Sequence, residues 1–198
     1  MSRPLAVAIT GGIGAGKSEA LSAFARHGAA TLSSDEIVHR LLAEDKEMRK
    51  ALLERFGDRI LGEDDQVDRK AISEIVFADR EQLDWLEGLL HPRVAQEYLG
   101  WREELGRLPD PPAVCVTEVP LLYEAGADER FDVVVVVTAP KEVRAARAKW
   151  WPTEPRERRL LPDEEKVARA DYSYVNDGTL EELDEFVAGV LRDLSAPT

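Results

Sequence analysis

The chain has 198 residues, with 26 Lys or Arg against 39 Asp or Glu, a formal net charge of −13 and 44% apolar residues. This length is typical of one domain, and the apolar content is enough for a buried core, which excludes a disordered chain. The negative charge argues against a general nucleic-acid or membrane-surface partner, because phosphate groups would be repelled.

The single cysteine, Cys115, excludes a disulfide scaffold and any site built on paired cysteines, and it fits a reducing compartment. No stretch approaches the roughly 18 apolar residues of a membrane span, and the N-terminus does not have the pattern of a signal peptide. We therefore expect a cytoplasmic protein with no membrane partner, present as a monomer or a weak homo-oligomer.

The first quarter of the chain alternates between strand and helix patterns. A short apolar run predicts a buried strand at 4–10, and apolar residues at helical spacing predict a helix from Lys17 that ends at Gly28. A second short strand is predicted at 29–32, followed by a helix over 35–42.

The middle third is predicted to be helical, with helices over 46–56, 69–77, 81–90 and 94–105. The third of these is expected to stop at His91-Pro92, because the residue before a proline disfavours the helical conformation. A turn-rich linker follows before strand character returns.

The last third alternates again. Strands are predicted at 113–116 and at 133–137, five consecutive valines, then a helix from Pro140 to about residue 150. A basic stretch at 151–162 follows, and an amphipathic helix over 180–194 closes the chain. This order predicts a parallel, helix-covered sheet with a helical insertion between the second and third strands.

The most informative segment is GGIGAGKS at 11–18, a complete GxxxxGK[ST] pattern between a predicted strand and a helix. Glycines let successive backbone amides curl around phosphate oxygens, and the helix N-terminus adds partial positive charge. Lys17 supplies a full charge for the β- and γ-phosphates, and the Ser18 hydroxyl can bind Mg²⁺. The remaining predicted nucleotide contacts in this loop are Gly12, Ile13, Gly14, Ala15 and Gly16. The alternative is a glycine-rich turn with a chance Lys-Ser.

The rest of the sequence narrows the class of phosphate-loop protein. A GTPase would carry an NKxD motif, and the only asparagine, Asn176, is followed by Asp-Gly. At this size the common remaining class is a small-molecule kinase, in which the basic stretch at 151–162 acts as a lid that excludes water and supplies charge. The alternative for that stretch is a solvated loop whose arginines pair with surface carboxylates.

Further motifs occur in order along nearly the whole chain. They are TGGIGAGKS (10–18), DEI (35–37), FG (56–57), VDR (67–69), VF (76–77), LE (86–87), HP (91–92), VPLLYE (119–124), AD (170–171) and NDG (176–178). Many kinases share the first, whereas HP after LE, PLLYE, and ADY followed by N are specific. In these motifs the chain resembles the dephospho-CoA kinases.

This resemblance implies ATP-dependent, Mg²⁺-assisted phosphorylation of the ribose 3′-hydroxyl of dephospho-CoA, the last step of coenzyme A biosynthesis. The implied fold is an α/β, P-loop NTPase-type three-layer fold with a parallel five-stranded sheet, a helical substrate-binding insertion and a short lid. The expected single domain has its core at 1–45, 113–140 and 165–198, its insertion at about 46–112 and its lid at about 141–164.

Asp35 follows the second predicted strand, at the sheet edge where the phosphate loop also lies. The resemblance implies that its carboxylate is the general base for the attacking hydroxyl. The alternative is an N-cap or first-turn acid favoured by the helix dipole. The family pattern here is Asp-x-Asp, whereas this chain has Ser33-Ser34-Asp35, so the first acid is missing.

Several residues are candidates for binding Mg²⁺ or the acceptor. Glu118 ends a predicted strand, where an acid can hold Mg²⁺ through water, although a solvated strand end is an alternative. The resemblance places these residues at the acceptor site: Arg69, His91, Pro120, Leu121 and Glu124. From the residues alone, Arg69 could instead form an ion pair, His91 could mark a helix end, and Leu121 could pack in the core.

Two arginines precede the predicted lid. Arg144 and Arg147 lie three apart on one helical face and can point together at a phosphate; Arg147 is the preferred contact, and surface pairing with acids is the alternative. The resemblance places Asn176 and Gly178 in the adenine-side loop, although Asn-Asp-Gly is also an ordinary turn.

The predicted lid departs from the family pattern. It lacks the usual glutamine near 159–162, and Trp150 and Trp151 are unusual there, either covering adenine or anchoring the lid. Two other functions stay open from the residues alone. One is a kinase of the same build that acts on a nucleoside monophosphate or a shikimate-like alcohol, and the other is a nucleotide-binding switch without catalysis.

Overall fold

The structure is a computed structural model that describes residues 3–147 and 160–195. Its centre is a five-stranded parallel sheet in the order β2-β3-β1-β4-β5. The strands are β1 (Leu5–Thr10), β2 (Ala30–Ser33), β3 (Val114–Glu118), β4 (Val133–Thr138) and β5 (Tyr172–Val175). The parallel five-stranded sheet is thereby confirmed.

The three central strands, β3, β1 and β4, are mostly apolar and are buried along almost their whole length, because both faces of the sheet are covered. On one face, Val7 and Val135 pack with Phe24 and Val187 in a buried core. On the other face, Ala8 packs in a second buried core with Val134, Val136, Leu122 and Tyr123. This alternation follows from the two-residue repeat of strands, and it gives the three-layer α/β arrangement that the sequence predicts.

The described residues form eight α-helices. They are α1 (Lys17–Arg26), α2 (Ser34–Glu44), α3 (Lys46–Phe56), α4 (Arg69–Ala78), α5 (Arg80–Gly106), α6 (Lys141–Arg147), α7 (Asp163–Arg169) and α8 (Leu180–Ser195). Helices α1 and α8 supply the outer layer on one side of the sheet. The bounds of α3 agree with the prediction to the residue.

The chain divides into two compact units, a helical unit at 34–99 and a sheet unit that contains all five strands. Two helices of the helical unit have aspartate N-caps. Asp45 accepts hydrogen bonds from the backbone amides of Glu47 and Met48, and Asp68 accepts one from Lys70. Each cap satisfies donors that a helix start leaves without partners, which fixes where α3 and α4 begin.

The predicted helix stop at His91-Pro92 is wrong, because α5 is 27 residues long and contains Pro92 in its interior. A proline removes one backbone donor and weakens the turn that precedes it. Here Arg93 Nη1 donates to the Leu89 carbonyl at 3.0 Å, and Asp45 holds the same guanidinium at 3.2 Å. The Arg93 guanidinium therefore adds a side-chain hydrogen bond to the turn that contains Pro92. Among the described helices, none has the length and apolar composition needed to cross a bilayer.

Candidate active site

The loop between β1 and α1 has a backbone path that requires glycine. Gly11, Gly14 and Gly16 have φ values of 143°, 73° and 100°, in the region that other residues rarely adopt. A Cβ at Gly11 would lie 1.9 Å from the carbonyl oxygen of Val137 in β4, and one at Gly16 would lie 2.1 Å from Asn176 Nδ2. The loop is thus held tightly against two other parts of the sheet unit.

Lys17, the first residue of α1, is held at this loop rather than extended into solvent. Its side chain donates from Nζ to the Gly12 carbonyl at 3.0 Å, and the residue is only 9% exposed. A full positive charge is therefore positioned beside the loop amides and the N-terminus of α1, which together favour an anion.

Ser18 and Glu118, the two candidates for binding Mg²⁺, lie next to each other. Ser18 Oγ donates to Glu118 Oε2 at 3.1 Å, and Glu118 ends β3 in direct register with Ile9 of β1. Glu118 is 5% exposed, so it is not a solvated strand end. A hydroxyl and a carboxylate are oxygen ligands of the kind that Mg²⁺ prefers.

These two residues fit a magnesium ion that is bound partly by phosphate. The described residues contain no cluster of three or more His, Cys, Asp or Glu side chains that would enclose a metal ion by themselves. Mg²⁺ typically keeps several waters and takes further ligands from phosphate groups, so one hydroxyl and one acid suffice here.

Asn176 fixes the far side of the loop. It follows β5, is 4% exposed, and donates from Nδ2 to the Ala15 carbonyl at 2.8 Å. Arg147 Nη1 donates to the carbonyls of Asn176 at 3.2 Å and Ala15 at 3.5 Å. The structure therefore brings together three predicted nucleotide-site residues, and it shows that two of them hold the loop backbone.

Gly178 has a local reason to be glycine. The Thr179 amide donates to Glu182 Oε2 at 2.7 Å and the Glu182 amide donates to Thr179 Oγ1 at 3.2 Å, a reciprocal cap at the start of α8. A Cβ at Gly178 would lie 1.9 Å from the same Oε2. The contact of Gly178 with adenine stays a prediction.

Glu124 lies in a buried ion pair. Its Oε1 is 2.8 Å from Lys166 Nζ and accepts a hydrogen bond from the Leu161 amide at 2.8 Å. The Lys166 side chain is fully buried. Its Nζ forms an ion pair with Glu124 Oε1, but the angles of this contact are not those of a hydrogen bond. Glu124 Oε2 is buried and has no hydrogen-bond partner among the described residues.

Sequence reasoning missed Lys166 as part of this cluster. It lies in DEEKVAR, a short segment of α7 in which five of seven residues are charged, so the pattern indicates a solvated helix. The only sequence signal is that the family's Glu-Lys pair after proline ends at this position.

Tyr123, beside Glu124, is a neutral group in this part of the sheet unit. Burial raises the pKa of its hydroxyl, and the Arg169 guanidinium, 4.1 Å from the ring centroid, opposes this shift. The hydroxyl has no hydrogen-bond partner among the described residues. It therefore stays protonated at neutral pH and cannot act as a base.

Pro120 and Leu121 begin the turn that follows β3. Thr10 Oγ1 donates weakly to the Pro120 carbonyl at 3.4 Å, and the Ala125 amide donates to the Leu121 carbonyl at 3.0 Å. Leu121 is half-buried, whereas the next residue, Leu122, is fully buried in the core. The contact of these two residues with an acceptor stays a prediction.

In the helical unit, the predicted site residues lie exposed on helix surfaces. Asp35 is in the first turn of α2, and its carboxylate makes no hydrogen bond within the described ranges 3–147 and 160–195. His91 is exposed in the middle of α5. Arg69, the first residue of α4, donates to His39 Nδ1 at 3.0 Å, a partner that the sequence did not suggest.

The region of the missing family acid is built from two serines. Ser33 ends β2 and Ser34 begins α2, and both are buried. Ser34 Oγ is without a hydrogen-bond partner in the described part of the chain. The predictions for Trp150, Trp151 and Arg159 lie outside the described residues.

Comparison with known proteins agrees with this loop and sheet. A model of the dephospho-CoA kinase family matches residues 5–182. A dephospho-CoA kinase from Chlorobaculum tepidum is 36% identical over 200 residues, which cover 96% of this chain and 95% of the relative. The crystal structure of a Thermus thermophilus protein superposes with a TM-score of 0.79 at 33% identity, covering 98% of this chain and 100% of that one. A dephospho-CoA kinase from Campylobacter jejuni superposes with a TM-score of 0.71 at 28% identity, covering 96% of each chain.

Proposed function

The chain belongs to the dephospho-CoA kinase family, and we propose that it transfers the γ-phosphoryl group of ATP to the ribose 3′-hydroxyl of dephospho-CoA, giving coenzyme A and ADP. One observation carries the proposal: a closely packed phosphate loop follows β1 in a chain that the family model covers from residue 5 to residue 182.

The loop residues bind the polyphosphate of ATP. Their backbone amides are the donors, at Gly12, Ile13, Gly14, Ala15, Gly16, Lys17 and Ser18. Lys17 already holds a donor at the loop through its bond to the Gly12 carbonyl, so it can exchange that oxygen for a phosphate oxygen with little movement. Its charge stabilises the transferring group, which makes it a catalytic residue.

Ser18 and Glu118 would hold Mg²⁺, the serine directly and the glutamate through water. When bound, Mg²⁺ neutralises charge that develops on the phosphate oxygens. The 3.1 Å contact between the two side chains supports this assignment, since it places both oxygens at one end of the phosphate loop.

Asp35 is the general base. Its carboxylate accepts the proton of the 3′-hydroxyl while that oxygen bonds to the γ-phosphorus and the bond to the β–γ bridging oxygen breaks, releasing ADP. Its exposed position without a protein partner among the described residues supports this role, because a base must be accessible to its substrate.

Arg147 assists as a third catalytic residue, since one of its nitrogens anchors the loop carbonyls and the others face no described acceptor. Asn176 and Gly178 complete the nucleotide side of the site. The acceptor is bound by the following residues: Asp35, Arg69, His91, Pro120, Leu121 and Glu124.

The assignment of a function to each segment of the chain is also part of the proposal. The core at 1–45, 113–140 and 165–198 carries nucleotide binding, the insertion at about 46–112 binds dephospho-CoA, and the lid at about 141–164 closes over ATP. The enzyme acts in the cytoplasm as a monomer or a weak homo-oligomer, without nucleic-acid partners, which the charge of −13 supports.

The test is an ADP-release assay coupled to NADH oxidation, run with ATP, Mg²⁺ and, in turn, dephospho-CoA, AMP and shikimate. We expect turnover with dephospho-CoA alone, and a product that mass spectrometry identifies as coenzyme A. Turnover only with another acceptor would establish a different kinase. ATP binding without any acceptor-dependent ADP would establish a switch protein.

A further inference from the structure

Arg144, in the middle of α6, packs against the phosphate loop with both its side chain and its backbone. A Cβ at Gly12 would lie 2.3 Å from Arg144 Nη1, and a Cβ at Gly14 would lie 2.9 Å from the Arg144 carbonyl oxygen. The backbone of α6 thus packs on one glycine of the loop while the guanidinium lies over another. The absence of side chains at both positions makes this approach possible.

The guanidinium of Arg144 is incompletely satisfied. Its Nε is buried and has no hydrogen-bond partner within the described part of the chain. Its ion-pair partner among the described residues is Asp163, the first residue of α7, at 3.8 Å between Nη1 and Oδ2, which is beyond hydrogen-bond distance. The side chain is 19% exposed, so water offers only limited compensation for these donors.

Arg147, one helical turn later, differs in its bonding. Its Nη1 donates to two loop carbonyls, so part of its hydrogen-bonding capacity serves to hold the backbone of the protein. Arg144 makes no such hydrogen bond to the described residues. A planar cation with unused donors, lying across the loop that binds phosphate, has the chemistry to recognise phosphate oxygens.

We propose that Arg144 donates hydrogen bonds to a phosphate oxygen of the bound nucleotide, and that Asp163 holds the guanidinium in the free protein. This inference rests on the nucleotide-binding part of the proposed function. Binding exchanges a loose ion pair for charge-assisted hydrogen bonds to phosphate, which are both shorter and stronger. Asp163 therefore competes with the nucleotide for Arg144.

The experiment measures dissociation constants by calorimetry for ATP with Mg²⁺ and for adenosine, without any acceptor. Arg144→Gln is compared with Arg192→Gln, which removes the same charge from an exposed position of α8. We expect Arg144→Gln to weaken ATP binding about 10- to 100-fold and to change adenosine binding less than about twofold. Arg192→Gln is expected to change ATP binding less than about threefold.

Asp163→Asn supplies a second test that leaves Arg144 intact. It is expected to tighten ATP binding about two- to fivefold, and to have no such effect in the Arg144→Gln background. The proposal is overturned if Arg144→Gln binds ATP as the wild type does, if adenosine binding falls by the same factor, or if Asp163→Asn acts equally in both backgrounds.

These measurements are independent of the phosphoryl acceptor. If the wild type does not phosphorylate dephospho-CoA while ATP binding depends on Arg144 as described, the proposed acceptor is wrong and the inference stands. If dephospho-CoA is phosphorylated and Arg144→Gln binds ATP normally, the inference alone fails.

Discussion

At the phosphate loop, two side chains with proposed roles, those of Lys17 and Asn176, are buried and bonded to the protein's own main chain, whereas in the helical unit the side chains with proposed roles lie exposed on helices. Lys17 and Asn176 both donate to loop carbonyls. Asp35 and His91 are exposed, and neither makes a hydrogen bond to the described residues.

The difference follows from what each region has to bind. A phosphate tail is small and highly charged, so preorganised amides and cations stabilise it without rearrangement. An exposed carboxylate has no fixed environment in the free protein and acquires one only with a substrate. We therefore expect substitutions near the loop to affect the binding and stabilisation of the phosphate groups, and substitutions at Asp35 to affect turnover alone.

The largest expected effect is that of Lys17→Ala. Withdrawing this charge from the β- and γ-phosphates should lower kcat/KM by about 1,000-fold or more while the far-UV spectrum and Tm stay close to those of the wild type. Arg192→Ala, which removes a positive charge from an exposed position of α8, is the matched control. Activity of Lys17→Ala within about tenfold of the wild type contradicts the assignment of the loop.

Asp35→Asn tests the exposed region of the comparison. We expect kcat to fall about 100- to 1,000-fold while the dissociation constant of ATP changes less than about threefold, because a general base acts only in the chemical step. Glu36→Gln is the control, since Glu36 is the neighbouring exposed acid in the same helical turn. Loss of ATP binding with normal turnover at saturation would make Asp35 a metal-binding or structural residue.

The Glu124–Lys166 pair gives the next effect, on stability. Lys166→Met leaves the Glu124 carboxylate buried without its cation and should lower the free energy of unfolding in urea by about 3–5 kcal/mol. The double variant Glu124→Gln, Lys166→Met should recover part of this loss.

The same pair also tests the proposed contact of Glu124 with the acceptor. If Glu124 binds dephospho-CoA, Glu124→Gln raises KM for that substrate more than Lys166→Met does. Equal KM values in the two single variants would reduce Glu124 to a structural role.

The smallest predicted effect concerns the N-cap of α3. The Met48 backbone amide, and then Arg93, lower the pKa of Asp45 below its ordinary value. A lowered carboxyl pKa stabilises the fold above the unfolded-state pKa and loses this contribution as the pH falls below about 4.

Asp45→Ala should therefore cost about 1 kcal/mol of unfolding free energy at pH 7, and the difference from the wild type should shrink below about pH 4. Asp45→Asn, which keeps an oxygen acceptor, is the control. Urea unfolding from pH 7 to pH 3 measures both, and a difference that grows on acidification would contradict the assigned role of the cap.

The sequence predicted the sheet well because each central strand is a short apolar run bounded by turn residues. The valines of β4 and the glycines after β1 are strong local signals. The helix stop at Pro92 failed for a physical reason: Arg93 supports the affected turn of α5, and a sequence pattern does not show where one guanidinium will bond.

The candidate site could be predicted only where the backbone defines it. The spacing of Lys17 and Ser18 after the glycines determines their position at the start of α1. The position of Glu118 follows from the end of β3. The pairing of Glu124 with Lys166, and the bonds from Asn176 and Arg147 to the loop, join residues far apart in sequence. No local pattern specifies such long-range partners.

The bond from Asn176 to the Ala15 carbonyl joins residues 161 positions apart. A contact between such distant residues closes a large loop of chain, and it forms only when β1 and β5 have both joined the sheet. The glycine loop is therefore fully held in place only in the assembled sheet unit.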